Sequence, residues 1–121
     1  MRALIVDDSK SMRMIIAKVL REAGFEVTEA ADGRQALDRL NQGEEVELIL
    51  IDWNMPVMNG YDLVCAVRAN ALLSNIRIMM VTTETSMSNI SQALNAGANE
   101  YLMKPFTKEV LMEKLALVGL A

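Results

Sequence analysis

Four short apolar runs punctuate the chain: Ala3-Leu4-Ile5-Val6, Leu48-Ile49-Leu50-Ile51, Ile78-Met79-Met80-Val81 and Tyr101-Leu102-Met103. Their length and lack of alternation predict strands buried on both faces. A fifth segment, Phe25-Glu26-Val27-Thr28-Glu29, alternates apolar with polar and predicts a strand covered on one face only, at a sheet edge. Strand-like segments begin near residues 3, 25, 47, 76 and 100, and helical periodicity follows each. The first helix is clearest, with Met12, Ile15, Ile16, Val19, Leu20 and Ala23 in one stripe, Ser9 or Ser11 to cap its start and Gly24 to stop it. Ala36, Leu37 and Leu40 predict a second helix ending near Gly43, and Leu63, Val64 and Val67 a third. Ile90, Ala93 and Leu94, before Gly97, predict a fourth. A fifth, from about Thr107, turns Leu111, Leu115 and Val118 inward and leaves Lys108, Glu109, Glu113 and Lys114 to solvent.

Five repeats of strand then helix predict an α/β fold, a doubly wound five-stranded parallel sheet between two helical layers, in a three-layer αβα sandwich. The strand order 2-1-3-4-5 is that of known flavodoxin-like sheets and is carried over from them, not deduced from spacing. In that order the first and third strands are neighbours.

A length of 121 residues fits one domain, and 52% hydrophobic content with 4% aromatics suits a compact aliphatic core. No stretch reaches the roughly 20 apolar residues of a membrane helix, and Met1-Arg2-Ala3 leads directly into a strand, so a cytoplasmic protein without membrane insertion is expected. The single cysteine, Cys65, is read as a small buried filler on the apolar side of the third helix, in a reducing compartment. A net charge of -4 without a run of Lys or Arg argues against nucleic-acid binding. With no histidine, Ser-His-Asp catalysis, His-ligated metal and a phosphohistidine carrier role are excluded. Of the ten methionines, Met12, Met79, Met80 and Met103 stand at core positions, whereas Met55, Met58 and Met87 fall in loops or at a helix start.

The polar ends of the apolar runs carry the candidate chemistry. Asp7-Asp8 follows the first run, Asp52 the second, Thr82 the third and Lys104-Pro105 the last. In an open parallel sheet the carboxyl ends of the strands form the ligand edge, and neighbouring first and third strands bring the three aspartates together. Converging carboxylates repel unless a cation intervenes. With only hard oxygen donors, the expected ion is Mg²⁺ or Mn²⁺ in an octahedral shell that keeps several waters.

Val6-Asp7-Asp8-Ser9, Asp52-Trp53-Asn54-Met55-Pro56, Thr82 and Lys104-Pro105-Phe106 together resemble the response-regulator receiver domain, over the whole chain. Glu84 after Thr82, and Tyr101 before Lys104, make the likeness strongest to the stand-alone chemotaxis regulators. The resemblance implies that residues 1–121 form a single receiver domain without an output domain, a phosphoacceptor switch that is not an enzyme but assists its own phosphorylation and dephosphorylation. Asp52 matches the phosphoryl acceptor, a carboxylate nucleophile. Asp8 matches the direct metal ligand together with Asp52 and the backbone carbonyl of Asn54, and Asp7 the ligand that works through water. Lys104 matches the lysine that pairs with the phosphoryl group, and Pro105 follows it through a cis peptide. Thr82 matches the hydroxyl that draws its loop toward the phosphoryl group, and Tyr101 the aromatic whose rotamer reports that movement. The implied partners are a histidine kinase and an output protein, a flagellar motor switch or another adaptor, met by the fourth helix, fifth strand and fifth helix.

Some positions depart from the family pattern. Thr83 stands where Ala or Gly is usual, and its branched side chain is expected to narrow access to the phosphoryl group. Asn59-Gly60 replaces Asp-Gly, and either pair makes a turn. The fourth helix begins Ser86-Met87-Ser88-Asn89, without lysines to greet an acidic partner. Within the family a relay intermediate or non-chemotaxis adaptor is the alternative. A flavodoxin-like cofactor binder would need a phosphate-cradling loop where Asp7-Asp8-Ser9-Lys10 is acidic, and an aspartate-nucleophile phosphatase would need its two aspartates two residues apart.

Overall fold

The computed structural model describes residues 1–83 and 87–120. Five strands, β1 (Arg2–Val6), β2 (Glu26–Ala30), β3 (Leu48–Ile51), β4 (Arg77–Thr82) and β5 (Glu100–Met103), alternate with α1 (Lys10–Glu22), α2 (Gly33–Asn41), α3 (Gly60–Arg68), α4 (Met87–Ala96) and α5 (Lys108–Leu117). All strand pairs are parallel and the order is β2-β1-β3-β4-β5. The expected doubly wound sandwich is therefore present, with β2 at one edge.

Period-two alternation within each central strand splits the core into two layers. Leu4, Val6, Ile49 and Ile51 pack with Ala36, Leu40, Leu63, Val64, Val67 and Ala93 of α2, α3 and α4. Ala3, Ile5, Leu48 and Leu50 pack on the other face with Ile16, Ala17, Leu20, Leu111 and Leu115 of α1 and α5. Both faces of β1 and β3 are thus dry, which is why those runs are unbroken in sequence. Side chains cap the helices at the expected residue type: Ser9 accepts from the Met12 amide, Asp32 from Gln35, Asn59 from Asp62 and Thr107 from Val110.

Several helix faces differ from expectation. Ile15 is 54% exposed, because the inward row of α1 runs through Ile16, Ala17 and Leu20 and turns Ile15 to its flank. Cys65 is exposed rather than buried, since α3 turns Leu63, Val64 and Val67 inward and the next position leaves the core. Leu94 is 37% exposed on the rim of α4, and Val118 is the half-buried C-cap of α5. Lys108 and Lys114 are not left to solvent alone, for Lys108 pairs with Glu22 and Lys114 with Glu100. Asn59-Gly60 starts α3 instead of making a turn. Met79 and Met80 are core residues, Met12, Met55, Met58 and Met103 are half-buried, and Met87 is 66% exposed.

Candidate functional site

The site forms where the sheet's hydrogen bonding continues one step past the strand ends. The Asp7 amide donates to the Ala30 carbonyl at 3.2 Å, Asp52 to Val6 at 2.9 Å and Lys104 to Thr82 at 2.9 Å. The backbone of each polar residue is thereby paired as a strand residue's is, at the carboxyl edge of the sheet. Asp7 and Asp52 are buried, Asp8 is exposed, and one carboxylate oxygen from each of the three lies within 4.8 Å of the others. The Lys104 ammonium bridges the two buried ones, 2.9 Å from Asp7 Oδ2 and 3.5 Å from Asp52 Oδ1. Asp7 Oδ1 accepts the Ser9 amide at 2.8 Å, so this carboxylate is committed on both oxygens.

The ionisation of Asp52 reflects these neighbours. Burial is the largest influence and raises its pKa; the Lys104 charge pulls it down, the Asp7 charge pushes it up, and hydrogen bonds from Lys104 and the Asn54 amide lower it, leaving a net rise. One ammonium does not neutralise three carboxylates. An all-oxygen donor set of this spacing fits a hard divalent cation such as Mg²⁺.

Thr82, the last residue of β4, is 1% exposed, and Thr83 after it is exposed. Glu84 lies outside the described residues. Tyr101 is half-buried on β5 and lines a small apolar gap with Trp53, Thr82, Ile90 and Leu94. The Lys104-Pro105 peptide is cis, as the family likeness implied. Asn54 is exposed in the loop after Asp52. A larger groove between the β3 and β4 entry loops, at the opposite end of the sheet, contains none of these groups.

The supporting roles of three residues escaped the sequence reading. Gly60 lies against Asp52: a Cβ there would run into the Asp52 backbone carbonyl, while the Gly60 amide donates to Trp53 at 2.9 Å. Val57 has φ 70° and is 82% exposed, at the centre of a γ-turn in which the Met58 amide donates to Pro56 at 2.7 Å. A β-branched residue in that region costs roughly 1–3 kcal/mol, so the loop after Asp52 holds stored strain. Arg13 donates to the Asp7 carbonyl at 2.6 Å. Gly60 was read only as half of a turn pair and no local motif marks Val57, but Arg13 stands three residues before Ile16 on the helix stripe, a signal visible in sequence.

The fold and the edge constellation correspond to a known class. Residues 3–116 match the response regulator receiver domain, and the chain belongs to that family, the receiver domains of two-component systems. It is 45% identical to the chemotaxis protein CheY1 of Helicobacter pylori over 119 residues, covering 98% of this chain and 96% of that protein. It is 47% identical to the chemotaxis protein CheY of Pseudomonas aeruginosa over 116 residues, 95% of this chain and 93% of that one. The high-resolution structure of the chemotaxis response regulator CheY4 of Vibrio cholerae superposes with a TM-score of 0.88 at 42% identity, covering 97% of both chains. Among the described residues no helix is long and apolar enough to cross a membrane.

Proposed function

We propose that this receiver domain accepts a phosphoryl group on Asp52 from a histidine kinase in the cytoplasm and thereby changes its affinity for an output protein, in chemotaxis signalling. The clustering of three aspartates, two of them paired with the Lys104 ammonium, carries the reading. A carboxylate oxygen of Asp52 attacks phosphorus as the bond from phosphorus to the donor's imidazole nitrogen breaks, and the departing nitrogen keeps the electron pair. Mg²⁺, held by Asp8, Asp52 and the Asn54 carbonyl and by Asp7 through water, would supply neutralisation of the phosphoryl oxygens. Lys104 follows the negative charge from the carboxylate to the phosphoryl oxygens, a shift its 3.5 Å separation from Asp52 leaves room for.

Thr82 donates its hydroxyl to the phosphoryl group and draws in the loop that follows, with Tyr101 responding on the face formed by α4, β5 and α5. Contact made only in the phosphorylated state is what biases such a population. The chemotaxis assignment rests on the relatives named above. The domain acts on no separate substrate, so it is a switch and not an enzyme. Mass spectrometry after acetyl phosphate and Mg²⁺ tests the acceptor: one hydroxylamine-labile phosphoryl group is expected on the wild type and none on Asp52→Asn. Modification of the variant at the wild-type rate would overturn the assignment.

A further inference from the structure

We propose that Arg13 is a positioning residue for the acidic site, fixing the peptide that joins Asp7 to Asp8. The inward row of α1 contains Ile16, Ala17 and Leu20, and Arg13 continues it at helical spacing toward the site. Its side chain is only 15% exposed. The guanidinium forks, with Nη1 donating to the Asp7 carbonyl oxygen at 2.6 Å and Nε to Glu29 Oε1 at 3.0 Å. Glu29 belongs to β2, so the fork ties α1, the edge strand and the β1–α1 turn together.

The Asp7 carbonyl belongs to the peptide between the two aspartates. Rotation of that peptide redirects Asp8 relative to Asp7, and therefore changes how far apart their oxygens stand. The Asp7 amide is held by Ala30 and its carboxylate by Ser9 and Lys104, which leaves the carbonyl as the remaining free corner. Arg13 closes it with a charge-assisted bond. Partners of this kind, which touch the ligand residues and not the ion, commonly change metal affinity about 10–100-fold.

This inference rests on the reading of the site as Mg²⁺-dependent, and the sign of the effect separates it from plain electrostatics. A cation beside a metal site repels the ion, so charge alone predicts tighter Mg²⁺ binding once Arg13 is removed. Positioning predicts weaker binding. Mg²⁺ titrations followed by Trp53 emission, with thermal melts alongside, decide between them. Arg13→Met is expected to bind about tenfold more weakly; equal or tighter binding in a folded variant, with or without a lower melting temperature, overturns the proposal. Arg13→Lys provides a second arm, because it retains the charge but lacks the fork. It is expected to bind more weakly than wild type, and wild-type affinity would overturn the proposal. A wild-type protein that shows no Mg²⁺ response would instead refute the underlying metal reading.

Discussion

At the residue scale, Asp52 holds its charge against the fold. Its raised pKa means that the folded chain binds the proton more tightly than the unfolded chain does. The stabilising contribution of the protonated group is thus fully present below the ordinary carboxyl value of about 3.9, and is lost as pH rises through the raised value. Near neutral pH, without divalent metal, an ionised Asp52 destabilises the domain. Asp52→Asn is therefore expected to melt at a higher temperature than wild type in chelator at neutral pH, with the gap closing near about pH 4. Added Mg²⁺ should stabilise the wild type and leave the variant nearly unchanged. A lower melting temperature for Asp52→Asn in chelator would show that its contacts with Lys104 outweigh burial.

At the element scale, β5 and α5 meet through one polar cluster. Lys114 Nζ lies 4.6 Å above the centre of the Tyr101 ring and 3.1 Å from Glu100 Oε1, and the same Glu100 oxygen accepts the Tyr101 amide at 2.9 Å. Tyr101 also borders the small apolar gap beside Trp53 and Thr82, so an inward turn of its ring requires that gap to open. A partly exposed cation over an aromatic ring contributes about 0.5–1 kcal/mol. Removing it in Lys114→Met should raise the inward share of Tyr101 up to about fivefold without phosphorylation. Aromatic ¹³C NMR of the metal-free variant measures this directly. A Tyr101 spectrum identical to wild type would show that Lys114 does not restrain the ring.

At the scale of the whole molecule, the sheet edge and the proposed output face are joined by β4 and β5. Thr82 and Met103 are register partners, one step before Lys104, so the two groups proposed to meet the phosphoryl group stand on adjacent strand ends. Beryllofluoride, a phosphoryl mimic, should shift amide resonances from Asp52 through Thr82 to Tyr101 and α4 in the wild type. Thr82→Ala and Lys104→Ala keep all three aspartates, the proposed acceptor Asp52 among them, and should still bind the mimic while shifts at α4 shrink. Coupling of this kind is typically about 1–3 kcal/mol, so losing one contact removes a substantial share. Wild-type shifts confined to the metal site would refute the switch.

The apolar runs and helix stripes by themselves determined the five strand-helix units, the edge position of β2 and the strand-end placement of Asp7, Asp8, Asp52, Thr82 and Lys104. These features depend on period and on burial of whole segments, which are local properties of the chain. The family motifs then named the roles that the site residues are proposed to play. Tertiary structure decided what depends on rotation about a helix axis or on approach between distant segments. One position of turn separates exposed Ile15 from buried Ile16, and exposed Cys65 from buried Val64. Packing of the helix against the sheet sets that rotation, and an apolar side chain on the flank looks the same in sequence as one in the core. The need for Gly60 beside the Asp52 carbonyl and the anchoring of Arg13 between Asp7 and Glu29 likewise arise from contacts that exist only once the chain has folded, and the strain at Val57 lies in a local γ-turn that a valine does not announce in sequence.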